Sequence, residues 1–330
     1  MAIEVSPLRE DLPFGARIRG VAFGTLEEEP VRQRIRDVFE DRGVIVFEEV
    51  EPGDAMQMAL SGVFGALKQH PVKGADFADS KDGTGALVNT LDPVDCDIVE
   101  IDGKLYSNWL PWHFDHCYNN ELNRGGVLRN IEAAPSGGLT GFMDGIALYR
   151  LMPRDLRDAI EHCSVLYSMD MQFDHITFGK PDNFRLVQLD WHWKDIFEQS
   201  RTYPRSIHPA VWTRSTGEKV LHISPWMAEG LDGREDEDGD ALLEAVCREI
   251  NRIGNAHAYF HKWEATDMAI WDNWRVLHRV TGCHPPHRRT ASRTTIKGDY
   301  GLGRFEQGPR NRDLVVERGA RAAMASAGQS

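Results

Sequence analysis

The amino-acid sequence predicts a mainly β fold with flanking helices, arranged as an antiparallel sandwich or barrel. From about residue 106 to 300, short runs of β-branched and aromatic residues alternate with Gly, Pro and Asn turns. Helical periodicity is confined to stretches before residue 65 and to one segment near 239–254. With 330 residues, 41% of them hydrophobic, the chain is long enough to bury one large core.

The N-terminal region is predicted to contribute two helices and one buried strand. Residues 30–42 carry apolar side chains at 31, 35, 38 and 39, the spacing of one helix face. Gly43 separates this helix from Val44–Phe47, a β-branched run typical of a buried strand. A second helical stretch covers roughly 53–64. Residues 72–106 are rich in Gly, Asp and Lys, and we expect a long, lid-like excursion there.

The rest of the chain is predicted to form strands with one helical interruption. The clearest strand-like runs are 141–144, 210–213, 220–223, 268–271 and 290–296. Residues 239–254 have the apolar spacing of a helix. The acidic stretch 232–240 before it lacks the ligand spacing of a calcium loop, so we expect a solvated loop. Residues 303–330 have the composition of a flexible tail, which leaves 1–302 as a single domain.

Charge and cysteine content exclude several classes of protein. Lys and Arg number 38 against 51 Asp and Glu, and a net charge of −13 argues against binding to nucleic acid or to an anionic membrane. The sequence contains neither an apolar run of ~18 residues nor the layout of a signal peptide, so we expect a soluble, cytoplasmic protein. Five cysteines without a C-x-x-C pair exclude a disulfide framework and a thiolate zinc site.

A metal site is indicated by three distant side chains. His113 and Asp115 are two residues apart, and on a strand such residues point to the same face. His278 follows the predicted strand 268–271 after an Asp-Asn turn, which returns the chain toward the pair. Two imidazoles and one carboxylate form the facial triad of non-haem Fe(II) oxygenases, which leaves positions open for other ligands.

An anion site is indicated just after the third metal ligand. Arg288, Arg289 and Arg293 lie in one predicted strand, on which Arg289 and Arg293 share a face. The guanidinium group binds carboxylates through two parallel hydrogen bonds. An exposed basic edge strand is the alternative interpretation of the same pattern.

These motifs occur in the order found in a known family. They are the segments 14–21 and 42–47, the His113–Asp115 pair, 135–144, His208–Thr213 and 268–273. His278 precedes Arg289 by 11 residues and Arg293 by 15. From about residue 5 to 300, the chain resembles the taurine dioxygenase and 2,4-dichlorophenoxyacetate dioxygenase family of Fe(II)- and 2-oxoglutarate-dependent oxygenases.

The resemblance implies a double-stranded β-helix, or jelly roll, and a set of site residues. It implies Fe(II) bound by His113, Asp115 and His278. It further implies that Thr140 and Arg289 bind the far carboxylate of 2-oxoglutarate. The expected reaction is hydroxylation of a small organic acid by O2, with succinate and CO2 as coproducts, in an enzyme that forms a homo-oligomer.

The substrate is less well defined by the resemblance. His70 matches a substrate-contacting histidine, and Arg293 is expected near the inner carboxylate of the cosubstrate and near an anionic substrate group. The family's usual Asp is replaced by Leu139, and Thr266 stands where Gly is common. The stretch 108–112, which includes Leu110, is bulkier than its counterpart in taurine enzymes. These departures favour a larger or aromatic substrate over taurine. A sulfonate, an aryloxy or other aromatic acid and an alkyl sulfate all remain open as substrates.

Two other functions remain open from the sequence. A zinc-dependent hydrolase would use the same two histidines and one aspartate to activate water. A non-catalytic jelly-roll binding protein would not need the triad at all. The basic strand 288–297 favours the oxygenase, because a hydrolase does not require a second anion site.

Overall fold

The computed structural model describes residues 3–68, 72–73, 87–91, 96–189, 203–285, 287–307 and 316–317. Within these ranges the α-helices are α1 (Phe23–Leu26), α2 (Glu29–Arg42), α3 (Asp54–Phe64), α4 (Gly145–Leu151), α5 (Arg154–Ile160) and α6 (Glu237–His257). A 3-10 turn covers Phe173–His175. The strands are organised in two large sheets and three small ones.

The larger sheet has seven strands. In spatial order they are β1 (Glu4–Pro7), β2 (Ala16–Arg19), β3 (Val44–Phe47), β17 (Met268–Asp272), β8 (Gly125–Glu132), β19 (Arg289–Arg293) and β5 (Leu87–Leu91). Neighbouring strands are antiparallel except for β2 and β3. The predicted strands 44–47, 268–271 and 290–296 therefore belong to one sheet.

The second sheet has six strands and carries two of the predicted metal ligands. In order they are β11 (Phe184–Gln188), β6 (Ile98–Ile101), β7 (Lys104–His113), β18 (Val276–Cys283), β9 (Thr140–Asp144) and β16 (Tyr259–His261). The smaller sheets comprise β15 (Ala228–Leu231), β10 (Ser164–Tyr167), β12 (Ser206–Pro209) and β20 (Arg304–Phe305); β13 (Val211–Thr213) with β14 (Lys219–Leu221); and β21 (Val316–Glu317) with β4 (Val72–Lys73).

The two large sheets share a core at the point where the chain crosses between them. Trp271 on β17 lies 5.7 Å from the ring of Phe142 on β9 and 4.6 Å from that of His278 on β18. Val44 and Val276 belong to the same buried cluster. This contact between antiparallel sheets confirms the predicted mainly β sandwich and places β18 beside the other sheet.

The helices cover the outer faces. Ile35 of α2 and Leu60 of α3 join Ile270 of the larger sheet in one buried cluster. Ile250 of α6 joins Trp112 of β7 in another. A Cβ atom on Gly254 would lie 2.7 Å from the Trp112 indole, so this close helix–sheet approach requires glycine.

Helix boundaries follow local chemistry. Helix α2 ends at Gly43, which adopts the left-handed conformation (φ 73°) that glycine accommodates without strain. Helix α6 is longer than the predicted 239–254. The Asp236 carboxylate caps its start by accepting a hydrogen bond from the Gly239 amide at 2.8 Å. The acidic stretch that we predicted as a solvated loop therefore supplies the cap and negative charges for the first turn of a helix.

The predicted domain boundaries are only partly covered by the described residues. The end of the lid-like excursion near 72–106 forms the antiparallel pair β6–β7, whereas most of 72–95 lies outside the described residues. Past residue 302, the short strand Arg304–Phe305 pairs with β12. The predicted flexible tail otherwise lies almost wholly outside the described residues.

Two further observations concern the cysteines and the character of the helices. Each of the five cysteines is a free thiol. Within the described ranges, no helix combines the length and the apolar character that crossing a membrane requires.

Acid is expected to destabilise the domain through buried His208 and His222. Burial lowers the pKa of His208 to about 4 and that of His222 to about 3. The folded state thus binds fewer protons than the unfolded chain, whose histidines titrate near pH ~6.5. The free energy of unfolding should be fully retained above that pH and should fall as the pH drops toward 4. Urea unfolding across this range measures the decline.

A pair of variants tests whether the buried histidine His222 causes this loss of stability in acid. His222 stacks on Phe114 with ring centroids 3.9 Å apart, so His222→Phe keeps the stack and removes the titrating group. This variant should flatten the pH dependence of the free energy of unfolding. His162→Gln, at an exposed position, should leave it unchanged. An unaltered slope in His222→Phe would exclude His222 as a source.

Candidate active site

The three predicted metal ligands converge. His113 ends β7 and is paired in register with His278 on β18, with ring centroids 4.0 Å apart. Asp115 Oδ1 lies 3.7 Å from His278 Nε2. One ligand atom from each of the three lies within 4.8 Å of the other two, and all three residues are buried. No other such group of three occurs in the part of the chain that the structure describes.

The protonation states of the three side chains favour the binding of a cation. His113 Nδ1 lies 2.8 Å from the Pro111 carbonyl, which accepts its proton and leaves Nε2 free as a ligand. Burial lowers the pKa of His113, and that of His278 still further, so both imidazoles are neutral at pH 7. Asp115 Oδ2 is buried without a hydrogen-bond partner among the described residues. A divalent ion would satisfy this orphaned oxygen, so the donor set fits a metal.

Asp115 is not held by a strand, and in this respect the sequence-based interpretation was wrong. Strand β7 ends at His113, and Asp115 lies in the following turn. Its carboxylate accepts a hydrogen bond from Arg293 Nη1 at 2.6 Å, and its backbone is hydrogen-bonded to the Asn273 side chain. Burial alone would raise the pKa of Asp115, but the positive charge of Arg293 lowers it, so the group is an anion.

Arg289 provides a buried positive charge. It begins β19, it is 5% exposed, and its Nε and Nη2 have no hydrogen-bond partner among the described residues. Burial lowers the pKa of Arg289 to about 10, so the guanidinium remains protonated at neutral pH. A buried unpaired charge is unfavourable, and an incoming carboxylate would neutralise it.

The turn before β9 lies against Arg289. A Cβ atom on Gly137 (φ 74°) would lie 2.5 Å from the Gly282 carbonyl oxygen, so only glycine fits here. A Cβ atom on the next residue, Gly138, would lie 3.4 Å from Arg289 Cδ. Thr140 Oγ1 accepts a hydrogen bond from Trp263 Nε1 at 2.9 Å, which leaves its own proton free to donate. Thr140 is therefore the first residue of β9 and directly follows the turn that lies against Arg289.

Aromatic side chains lie beside His113, and together they form what we call the aromatic wall. We use this term for Trp109, Phe173 and Trp226. The Trp226 ring meets the His113 ring edge-on at 5.0 Å and stacks on Phe173 at 5.4 Å. Leu110 packs against the same apolar cluster. The side chains that pack together with Trp226 beside His113 are therefore apolar and aromatic.

The structure describes most of the site residues predicted from the sequence, but not all of them. The structure brings His113, Asp115, His278 and Arg293 together, and it places Leu110 in the cluster of the aromatic wall. His70 lies outside the described residues, so its substrate contact stays a prediction.

Three neighbours of the site were missed: Asn273, Trp226 and Trp263. Of these, only Asn273 had a local signal, since it forms the turn five residues before the ligand His278. The two tryptophans are brought to the site by tertiary contacts with His113 and Thr140.

Comparisons with known proteins agree with this geometry. The model of the family described as taurine catabolism dioxygenase TauD, TfdA family matches residues 4–295. The alpha-ketoglutarate-dependent sulfate ester dioxygenase of Pseudomonas putida is 24% identical over 292 residues, which cover 88% of each chain. The alpha-ketoglutarate-dependent 2,4-dichlorophenoxyacetate dioxygenase of Cupriavidus pinatubonensis is 27% identical over 317 residues, covering 91% of this chain and 99% of that protein.

Solved structures share the fold. A taurine dioxygenase from Burkholderia xenovorans superposes with a TM-score of 0.66 at 22% identity, over 93% of this chain and 95% of that one. AAD-2, crystallised with Mn(II) and N-oxalylglycine, gives a TM-score of 0.65 at 18% identity, over 91% and 98% of the two chains. This likeness confirms the jelly-roll fold. Because the family model spans most of its length, the chain belongs to the TauD, TfdA family of dioxygenases.

Proposed function

We propose that this protein hydroxylates a small anionic organic substrate with an apolar or aromatic body, using Fe(II), 2-oxoglutarate and O2 and releasing succinate and CO2. As a member of its family it is an alpha-ketoglutarate-dependent dioxygenase. The observations that carry the proposal are a buried two-histidine, one-aspartate triad and a buried arginine, Arg289, whose Nε and Nη2 have no hydrogen-bond partner among the described residues.

The chain's own residues would divide the work between metal and cosubstrate. His113, Asp115 and His278 would hold iron on one face, which leaves the opposite face open. Iron bound there supplies the site at which O2 is activated. Arg289 would bind the far carboxylate of 2-oxoglutarate through its unpaired Nε and Nη2, and the free hydroxyl proton of Thr140 would donate to the same group.

Arg293 and the aromatic wall would determine the substrate. Arg293 contributes a positive charge beside the metal ligands through its contact with Asp115, so an anionic group near it would be favoured. The body of the substrate would pack on Trp226 and Leu110. Relatives named for sulfate esters, 2,4-dichlorophenoxyacetate and (S)-phenoxypropionate support this combination of anionic head and apolar or aromatic body.

A substrate panel tests the proposal. Purified protein is supplied with Fe(II), 2-oxoglutarate and O2, and succinate release is measured with aryloxy acids, sulfate esters and sulfonates. We expect at least one class to trigger succinate release that requires all three additions. A zinc-dependent hydrolase would instead act without O2 and ignore 2-oxoglutarate, and such a result would overturn the proposal. The cytoplasmic location and the homo-oligomer stay predictions, and light scattering tests the latter.

Trp226→Ala is expected to weaken substrate binding selectively. Removing the indole deletes the apolar surface that faces His113, and a buried aromatic side chain contributes about 1.5–3 kcal/mol. We therefore expect the KM for the best aryloxy acid to rise about tenfold or more, while the KM for the cosubstrate stays unchanged. Phe23→Ala is the control, because Phe23 lies on α1 and is not part of the cluster that contains the aromatic wall. A parallel rise in both KM values would argue against a substrate wall.

A further inference from the structure

The side chain of Asn273 pairs with the backbone of Asp115. Its Oδ1 accepts a hydrogen bond from the Asp115 amide at 2.8 Å, and its Nδ2 donates to the Asp115 carbonyl at 3.0 Å. Asn273 is fully buried in the turn between β17 and β18. These two hydrogen bonds satisfy the backbone N–H and C=O of Asp115, as a neighbouring strand would. They do so beyond the end of β7 at His113, where strand pairing has stopped.

The orientation of the Asn273 amide is fixed by further contacts. Nδ2 also faces the Asn123 Oδ1 at 2.9 Å and the Asn123 carbonyl at 3.2 Å, so three oxygens require a donor there. The backbone N–H of Asn273 donates to the Arg124 carbonyl at 3.1 Å. The amide therefore cannot flip without losing several buried hydrogen bonds.

The same turn positions two metal ligands. It runs from Asn273 into β18 and reaches His278 after five residues, while the Asn273 side chain fixes the backbone of Asp115. The aspartate side chain is short, so a shift of its backbone would carry the carboxylate away from the two imidazoles. Arg293 holds the carboxylate end, and Asn273 holds the backbone end.

We propose that Asn273 is a positioning residue of the metal centre, which locks the Asp115 backbone to the turn that leads to His278. The inference rests on the proposed role of Asp115 as a metal ligand. A purely structural tie between the same segments would stabilise the fold without affecting metal affinity, and this difference makes the two roles separable.

The test is a double-mutant cycle read out by metal binding. Co(II) is titrated into the metal-free wild type, Asn273→Ala, Asp115→Ala and the double variant, and visible absorption reports both affinity and ligand geometry. Loss of a group that orients a ligand costs about 10- to 100-fold in metal affinity, and we expect such a loss in Asn273→Ala. Its Co(II) spectrum should shift toward that of Asp115→Ala. In the Asp115→Ala background the second substitution should cause no further loss.

Controls separate folding from positioning. Asn251→Ala removes a side-chain hydrogen bond to the Gly179 carbonyl, which involves neither Asn273 nor the three candidate ligands, so it should lower stability and leave Co(II) affinity unchanged. Asn273→Ser, which retains a polar group in the buried site, serves if Asn273→Ala does not fold, and the same loss of affinity is expected.

Two results would overturn the inference. Unchanged affinity in the Asn273 variants, with reduced affinity in Asp115→Ala, would refute the positioning role alone. Unchanged affinity in Asp115→Ala would refute the proposed ligand set and this inference with it.

Discussion

Replacing Arg289 by Met should strongly weaken the binding of 2-oxoglutarate and should also stabilise the protein in the absence of 2-oxoglutarate. Losing a buried charged partner typically costs about 2–5 kcal/mol, so we expect the affinity for the cosubstrate to fall about 30-fold or more. The same guanidinium is buried, and two of its nitrogens have no hydrogen-bond partner in the part of the chain that the structure describes. Replacing a buried charge by an apolar side chain of similar size should therefore raise the free energy of unfolding by about 1 kcal/mol or more. Calorimetric titration of the Mn(II)-loaded protein and urea unfolding measure the two effects.

Arg279 provides a matched control. Burial also lowers its pKa to about 10, but its Nη1 donates to Asn255 Oδ1 at 2.6 Å and its guanidinium lies over the Trp112 ring. Arg279→Met should reduce stability and leave the affinity for the cosubstrate unchanged. Wild-type affinity in Arg289→Met, or equal effects of the two substitutions, would contradict the assignment of Arg289 to the cosubstrate.

His278→Ala should eliminate metal binding and, with it, substrate-dependent succinate release. It removes one of the three buried ligands, so the loss of affinity should exceed the about 100-fold associated with residues that only orient ligands. Added imidazole should restore part of the Co(II) affinity, because it can replace the deleted ring within the vacated space. Equilibrium dialysis against Co(II), with and without imidazole, measures both effects.

A buried histidine outside the triad serves as the comparison for this loss. His222→Phe changes such a residue without touching the three ligands, and Co(II) affinity should stay at the wild-type value. If His278→Ala bound Co(II) as tightly as the wild type, the triad would not be the metal site.

The strand pattern and the three side chains of the candidate metal site were accessible from the sequence. Val44–Phe47 and Met268–Asp272 are uniformly buried, and β-branched and aromatic runs of this kind predict strands without help from the rest of the chain. His113 and His278 were predicted to share a site, and they are paired in register on adjacent strands. The spacing between His278 and Arg289 was visible because it lies within one short segment.

Residues whose role depends on contacts across the fold were not accessible. Asp115 satisfied an i, i+2 pattern, but strand β7 ends two residues before it, and local spacing does not report where a ladder stops. Trp226 reaches His113 from 113 positions along the chain, so no pattern in its own segment points to the site. The acidic run before α6 was predicted to be a loop. The capping role of Asp236 depends on one hydrogen bond, which its carboxylate accepts from the Gly239 amide, and the sequence does not reveal this contact.

The placement of Asp115 in a turn has a consequence for how this scaffold can change its chemistry. Both histidines are built into hydrogen-bonded strands, so altering their backbone would disturb the sheet itself. The carboxylate ligand is instead carried by a segment outside the ladder, where a smaller residue would leave an empty coordination position while the sheet stays intact. The carboxylate of this candidate site can therefore be replaced without a change in the two paired strands that carry its histidines.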